Sequence, residues 1–218
     1  MLKKLVVTYS VYSTAYGIRK ALKALKDVPL MSYDCEVRSK YSVRERAEAK
    51  ELLKCCKEEM LPEDTILCKL VANSSGLSYP AITKVTHFIF GLSETHSEIM
   101  VTDDPKVEQM ILEWVADFTG KLIIHNSTFD LKIVYQRTGR LPIDYEDTQL
   151  LAKCYMNHVD TWKANTGLKE LMGMYYDARW TEVDDYDVED YKDEDFLRYC
   201  AIDGSATYKL WQQLQSTE

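Results

Sequence analysis

The 218-residue chain lacks any apolar stretch that could cross a membrane. No segment approaches the roughly 18 uncharged, apolar residues that a transmembrane helix needs. The opening residues, MLKKLVVTYS, contain too short an apolar run for a secretory signal and no small-residue cleavage site. We therefore expect no membrane partner and a cytoplasmic location.

Paired cysteine spacing is also lacking. Six cysteines are scattered along the chain without a Cys-x-x-Cys pair, which argues against a structural zinc site: Cys35, Cys55, Cys56, Cys68, Cys154 and Cys200. Because we expect no secretion signal, a disulfide framework is not expected either. We expect all six side chains to be reduced.

The chain also lacks a surplus of positive charge. Lysine and arginine total 27 against 35 acidic residues, which gives a formal net charge of −8. Nucleic-acid-binding modules that rely on long-range electrostatics usually carry a basic surplus. Any nucleic acid must therefore be held locally. Positive charge is concentrated in residues 1 to 30 and negative charge in residues 181 to 195, so a partner protein could bind either region.

The order of predicted elements indicates the fold class. A strand, a helix and a strand over 31–37 are followed by charged helical segments between residues 38 and 80, which have the character of an insertion. Two strands then form a hairpin, and strands and helices alternate up to a long helix over 188–215. This order predicts an α/β domain with helices on both faces of a mixed sheet and strand 31–37 near its centre.

Two acids stand in that central strand, within the sequence MSYDCEV. Strand side chains alternate between faces, so Asp34 and Glu36 share a face while Tyr33, Cys35 and Val37 take the other. At ~4 Å their repulsion costs roughly 1 kcal/mol in water and about 4 kcal/mol near a protein surface. The pair therefore needs a cation, a proton or open solvent, and a strand with one wet face is the simpler alternative.

Two further places combine acids with an organised context. Asp130 lies in the first turn of a predicted helix, directly after a buried strand, where ligand crevices form in open α/β sheets. An acid that merely favours a helix N-terminus is the alternative. Tyr199 and Asp203 are four residues apart on one helical face. Here the alternative is a tyrosine and an aspartate at the rim of the core.

Taken in order, these motifs resemble those of a known superfamily. They are a D-x-E strand, an N-x-x-F-D helix start and a Y-x-x-x-D helix, formed by Asp34 and Glu36, by Asn126, Phe129 and Asp130, and by Tyr199 and Asp203. The set resembles the three exonuclease motifs of the DEDD superfamily, tyrosine subgroup. Over roughly residues 29 to 215, the closest resemblance is to the 3′-5′ proofreading exonuclease domain of family A DNA polymerases.

Two features depart from the pattern of that family. Residues 38 to 80 lengthen the interval between the first two motifs, and Val37, Arg38 and Ser39 replace the small hydroxyl residue and leucine often found after the first motif. The second departure affects the residues that would contact the terminal base of a nucleic-acid substrate. The resemblance implies a single domain over 1–218, with an N-terminal extension over 1–28 and a helical insertion over 38–80 in a ribonuclease H-like fold.

The resemblance also implies chemistry. The expected activity is hydrolysis of DNA from its 3′ end to nucleoside 5′-monophosphates with two divalent cations, Mg²⁺ or Mn²⁺. Asp34 would bridge both ions, Glu36 and Asp203 would help to hold the one that activates water, and Asp130 would serve the other. Tyr199 would orient the attacking water, with Asn126 and Phe129 as substrate contacts. The four tryptophans, Trp114, Trp162, Trp180 and Trp211, are expected in the core or at an interface rather than as a platform for bases.

The implied partners are a single-stranded or frayed DNA 3′ end and a DNA polymerase on a separate chain, as in a split, virus-type replication system. The cell would then be a bacterium or a virus-infected host. Two alternatives remain open. One is an exonuclease that trims RNA 3′ ends, and the other is a non-catalytic nucleic-acid-binding or scaffold subunit that retains the fold.

Overall fold

A computed structural model describes residues 5–55, 61–72, 82–156, 166–178, 180 and 193–216. These residues form one mixed six-stranded sheet and eight helices: β1 (Thr8–Tyr12), α1 (Ala15–Leu25), β2 (Leu30–Ser39), α2 (Val43–Cys55), α3 (Pro62–Ala72), β3 (Thr83–Ser93), β4 (His96–Val101), α4 (Pro105–Ala116), β5 (Lys121–Ile124), α5 (Ser127–Thr138), β6 (Tyr145–Asp147), α6 (Thr148–Tyr155), α7 (Leu168–Tyr176) and α8 (Glu194–Gln215). None of these helices is long and apolar enough to span a bilayer.

The sheet places the acidic strand near its centre, as the sequence predicts. The strand order is β1-β4-β3-β2-β5-β6, with β2 antiparallel to β3 and parallel to β5. β3 and β4 form the expected hairpin. The α/β fold class is therefore confirmed, and β2 has neighbours on both sides.

The two faces of β2 differ as strict alternation requires. Tyr33 and Cys35 are buried in the main core, which α1, α4 and α5 also line. Asp34 lies opposite Ile89 on β3, and Ile89 packs in a second cluster against α8. Directly opposed residues of an antiparallel pair share a face. Asp34 and Glu36 therefore face α8.

Small residues allow α8 to lie close against the sheet. A Cβ added to Gly91 would lie 2.5 Å from the carbonyl oxygen of Gly204, so only glycine fits at this crossing. The Ser32 hydroxyl donates to that same carbonyl at 2.7 Å. This close approach positions Asp203, the residue before Gly204, over the acidic strand.

Residues 38 to 80 contribute α2 and α3, which pack on each other around a small cluster of Ala49, Val71, Ala72 and Ile82. Residues 1 to 28 contribute α1 and the edge strand β1, which pairs in parallel with β4. The division into extension, insertion and exonuclease domain stays a prediction. Residues 56–60, 73–81, 157–165 and 181–192, which include parts of predicted elements, lie outside the described residues.

Two strands differ from the sequence-based prediction. The apolar run KKLVVTY predicts the first strand at residues 3–9, whereas among the described residues β1 covers Thr8–Tyr12, because its bonds to β4 begin at the Thr8–His96 pair. The sequence predicts no element at residues 145–147, where the structure has β6. Its three residues carry a weak strand pattern, and only their parallel pairing with β5 makes them a strand.

Candidate active site

Three carboxylates meet between β2 and α8. One oxygen from each of Asp34, Glu36 and Asp203 lies within 4.8 Å of the others. β2 supplies the first two from one face, and the close crossing of α8 supplies the third. Carboxylate oxygens are the ligands that Mg²⁺ and Mn²⁺ prefer. This cluster could therefore hold a divalent cation.

Asp130 contacts β2 on the edge that faces β5, at a point beyond the end of the pairing between the two strands. β2 pairs with β5 only through Leu30, Met31 and Ser32. Beyond this point the Cys35 amide donates to Oδ1 of Asp130 at 3.1 Å instead of to a strand neighbour. Asp130 is only 2% exposed. The fourth acid is thus fixed next to Asp34, although it is not part of the group of three.

All four acids of this site have raised pKa values, which means that their ionised forms are disfavoured. Burial raises the pKa of Asp34 to about 6. Burial and then the charge of Asp34 raise the pKa of Asp203 to about 7. The pKa values of Glu36 and Asp130 also lie well above the usual range, again through burial first and the charge of Asp34 second. A bound cation would relieve both causes.

Tyr199 lies one helical turn before Asp203, with its side chain toward the acids. Burial and then the charge of Asp203 raise the pKa of its hydroxyl, and this hydroxyl is hydrogen-bonded to the Asp203 carboxylate. Its ring stacks on Phe196 with centroids 5.8 Å apart. Because the hydroxyl donates to Asp203, its oxygen lone pairs remain as acceptors for a water molecule.

The predicted substrate contacts take two different positions at the start of α5. Asn126 is exposed, has a left-handed backbone (φ 60°, ψ 53°) and makes no side-chain cap. As the sequence predicts, the helix begins at Ser127; Asn126 is its N-cap residue, and the Ser127 hydroxyl donates to Asp147 at 2.8 Å. Phe129 is half-buried against the main core. Asn126 therefore lies at the surface, whereas Phe129 supports α5.

Two further residues lie at this site that the sequence motifs do not predict, Lys169 and Trp180. The Lys169 ammonium, on α7, lies 4.7 Å from the centroid of the Tyr199 ring. Its positive charge lowers the pKa values of Asp34, Glu36 and Asp203, against the effect of burial. A lysine in the amphipathic segment GLKELMGMYY carried no signal that would separate it from other surface lysines.

Trp180 contacts the acid cluster directly. Its indole Nε1 donates to Oδ1 of Asp203 at 2.5 Å. Its ring also packs against the clusters that α8 forms with the sheet and with α6 and α7. The packing of Trp180 agrees with the expected core or interface position. Its contact with Asp203 was not expected.

The sheet topology and its flanking helices are those of the ribonuclease H-like fold, and solved structures support this fold class. No protein-family model and no curated protein sequence matches the chain. Structural similarity is extensive, with 90 matching chains. The described topology and these matches confirm the ribonuclease H-like fold.

Three of the similar structures illustrate the match. Brucella melitensis NrnC bound to pGG has a TM-score of 0.55 and 13% identity, over 97% of this chain and 81% of that one. Escherichia coli RNase D has a TM-score of 0.60 and 15% identity, over 96% of this chain and 45% of that one. The catalytic core of RRP6 from Trypanosoma brucei has a TM-score of 0.60 and 9% identity, over 96% and 46%. The chain thus spans less than half the length of the RNase D and RRP6 chains.

These neighbours have the fold that the resemblance to the DEDD exonuclease superfamily implies. None of the three structures described above is a polymerase proofreading domain, so they do not support the finer resemblance.

Proposed function

We propose that this protein is a metal-dependent 3′-5′ exonuclease that removes nucleoside 5′-monophosphates from the 3′ end of single-stranded nucleic acid. The observation that carries the proposal is the meeting of Asp34, Glu36 and Asp203 within 4.8 Å of one another, from β2 and α8, which are far apart in sequence. A surface cluster of acids would be solvated, whereas burial raises the pKa values of these carboxylates.

The donor set fits two divalent cations, Mg²⁺ or Mn²⁺. Asp34 belongs to the group with Glu36 and Asp203, and its charge also raises the pKa of Asp130, so it is suited to share two ions. Glu36 and Asp203 would hold one ion and Asp130 the other. When bound, such a pair lowers the pKa of water and neutralises charge on the phosphate and on the leaving 3′ oxygen.

The remaining polar groups of the site would position the reactants. Tyr199 donates to Asp203 and would accept a hydrogen bond from the attacking water, which orients the water without removing its proton. A tyrosine with a raised pKa is a poor base at neutral pH, so orientation is the role its chemistry allows. The Lys169 ammonium, stacked over the Tyr199 ring, would attract the scissile phosphate to the same place.

RNA is the substrate to test first. Among the similar structures, RNase D is described as an exoribonuclease involved in structured RNA processing, and NrnC is bound to pGG. These names favour RNA trimming over the DNA proofreading that the sequence motifs suggested. Proofreading of a DNA 3′ end for a polymerase on a separate chain remains the competing proposal.

A cleavage assay on matched substrates tests the proposal. Single-stranded RNA and DNA of one sequence, labelled at the 5′ end, would be incubated with Mg²⁺, Mn²⁺ or EDTA. We expect a ladder that shortens from the 3′ end with either metal, faster on RNA, and no cleavage in EDTA or by Asp34→Asn. Intact substrates in Mn²⁺, or internal cuts without a ladder, would refute the exonuclease. Faster cleavage of DNA would favour proofreading, and gel filtration with a DNA polymerase would then test the partner.

A further inference from the structure

We propose that Trp180 is a positioning residue of this site, whose indole N–H fixes the Asp203 carboxylate so that it can bind a divalent cation together with Asp34 and Glu36. The inference rests on the metal site of the proposed function. This role for Trp180 is not part of the sequence motifs and goes beyond its packing in the core.

The geometry of Asp203 carries the argument. A carboxylate rotates broadly about χ2, so its direction has to be set by its partners. Asp203 has two described partners that donate hydrogen bonds: the Trp180 indole at 2.5 Å and the Tyr199 hydroxyl. Its other near neighbours are the Lys169 ammonium, which attracts it, and Asp34 and Glu36, which are acids that repel it. Without the two donors, repulsion would rotate the carboxylate away from the cluster.

Trp180 is itself held firmly enough to act as a fixed donor. Its ring packs against the residues of two hydrophobic clusters, one shared by α8 and the sheet and one shared by α6, α7 and α8. The Lys169 ammonium lies 5.8 Å from the centroid of the same ring. An indole that is immobilised before the ion binds loses little entropy on binding, and partners of this kind commonly contribute 10- to 100-fold in metal affinity (about 1.4 to 2.7 kcal/mol).

The chain contains a matched control. Trp211, on α8, donates from Nε1 to Oε2 of Glu146 at 2.6 Å, so it forms the same type of indole–carboxylate bond. Glu146 also accepts hydrogen bonds from Lys121 and Gln215. That carboxylate is already neutralised by a lysine, so removal of the Trp211 indole should leave cation binding at the acid cluster unchanged.

The test measures Mn²⁺ affinity by isothermal titration calorimetry on the whole chain. We expect the Mn²⁺ dissociation constant to rise about 10-fold in Trp180→Phe, which keeps an aromatic ring and loses the donor. Trp180→Gln, which keeps an N–H donor, should recover part of the affinity, and Trp211→Phe should match the wild type. Equal affinity in Trp180→Phe and the wild type, or an equal loss in both phenylalanine variants, would overturn the inference.

A second measurement covers the case in which Trp180→Phe does not fold, as judged by its melt in EDTA. In the wild type, one indole N–H resonance should shift strongly when Mg²⁺ is added, and that resonance should persist in Trp211→Phe. If saturating Mg²⁺ shifts no indole resonance, the inference fails.

The outcomes separate this inference from the proposed function. Wild-type protein that binds Mn²⁺ tightly and cleaves no nucleic acid would refute the exonuclease and leave the role of Trp180 standing. Wild-type protein that cleaves, together with a Trp180→Phe variant of unchanged Mn²⁺ affinity, would refute the role of Trp180 alone.

Discussion

Within the part of the chain that the structure describes, two carboxylates accept a hydrogen bond from a tryptophan indole, and their surroundings are opposite. Glu146, on β6, also accepts hydrogen bonds from Lys121 and Gln215. Burial alone would raise its pKa, but the hydrogen bonds from Lys121 and Trp211 and the charge of Lys121 hold the pKa below the usual value. Asp203, on α8, has Asp34 and Glu36 beside it, and burial with the charge of Asp34 raises its pKa to about 7.

The difference indicates which carboxylate stabilises the fold and which is kept for binding. A carboxylate paired with a lysine contributes to the stability of the native state without further help. A group of buried acids without enough positive charge destabilises the apoprotein, and such groups are typical of functional sites. We therefore interpret the Glu146 network as structural and the Asp203 cluster as a cation site.

Neutralising each carboxylate in turn tests whether the two have these different roles. Asp203→Asn should lower the rate of exonuclease cleavage by about 10³-fold or more, because a metal ligand worth several kcal/mol of transition-state stabilisation is lost. Glu146→Gln should keep the wild-type rate within about 3-fold, since its partners lie outside the acid cluster. Single-turnover rates in Mg²⁺ measure both, and similar losses in the two variants would contradict the assignment.

Tyr199→Phe should have the next largest effect. The variant loses a hydrogen bond to a charged group, which is worth about 1.5 to 3 kcal/mol, so cleavage should slow by about 10- to 100-fold. The rise in melting temperature on addition of Mn²⁺ should persist, because the four acids remain. Asp34→Ala should lose both the activity and the Mn²⁺-dependent rise. If Tyr199→Phe, Asp34→Ala and Asp203→Ala all lose activity equally, the division of roles is wrong.

Stability without metal should respond to the two neutralising substitutions with opposite signs. The pKa of Asp203 is raised from 3.8 to about 7, so between these pH values the folded state retains a proton that the unfolded state releases. Stability then falls as pH rises through this window. At pH 8 in EDTA, Asp203→Asn should raise the melting temperature by a few degrees, and Glu146→Gln should lower it by a similar amount.

Melts at pH 4 provide the control for this prediction. At that pH Asp203 is protonated in the folded state, so the gain from Asp203→Asn should disappear. A gain of equal size at pH 4 and pH 8 would show that repulsion among the acids is not the cause.

Lys169→Met should have the smallest effect of the four. It removes a positive charge beside the acids and preserves the length and packing of the side chain. We expect the KM for an oligonucleotide to rise about 3- to 10-fold, corresponding to about 1 kcal/mol of lost attraction for phosphate. The exposed Lys153 on α6 offers the matched substitution Lys153→Met, which should leave KM unchanged. A change in KM of the same size in both variants would refute a specific role for Lys169.

The sequence predicted the parts of the site that follow from local periodicity. Alternation along β2 placed Asp34 and Glu36 on one face, and the four-residue spacing on α8 aligned Tyr199 with Asp203. These relations hold for any strand or helix, so they needed no tertiary information. The order of elements likewise predicted the mixed sheet.

The residues that the sequence did not identify depend on how elements pack. Lys169 reaches the acids because α7 packs beside α8, and Trp180 reaches Asp203 because the chain returns to the site after α7. The early end of β5, which frees the Cys35 amide for Asp130, depends on strand register. Neither helix packing nor register can be read from spacing within one segment.

Anomalous diffraction from crystals soaked in Mn²⁺ would locate the bound cations themselves. We expect one anomalous peak bounded by the carboxylates of Asp34, Glu36 and Asp203 and a second between Asp34 and Asp130. Crystals that show no peak at these four acids, while other Mn²⁺ ions are visible elsewhere on the protein, would contradict the proposed cation site.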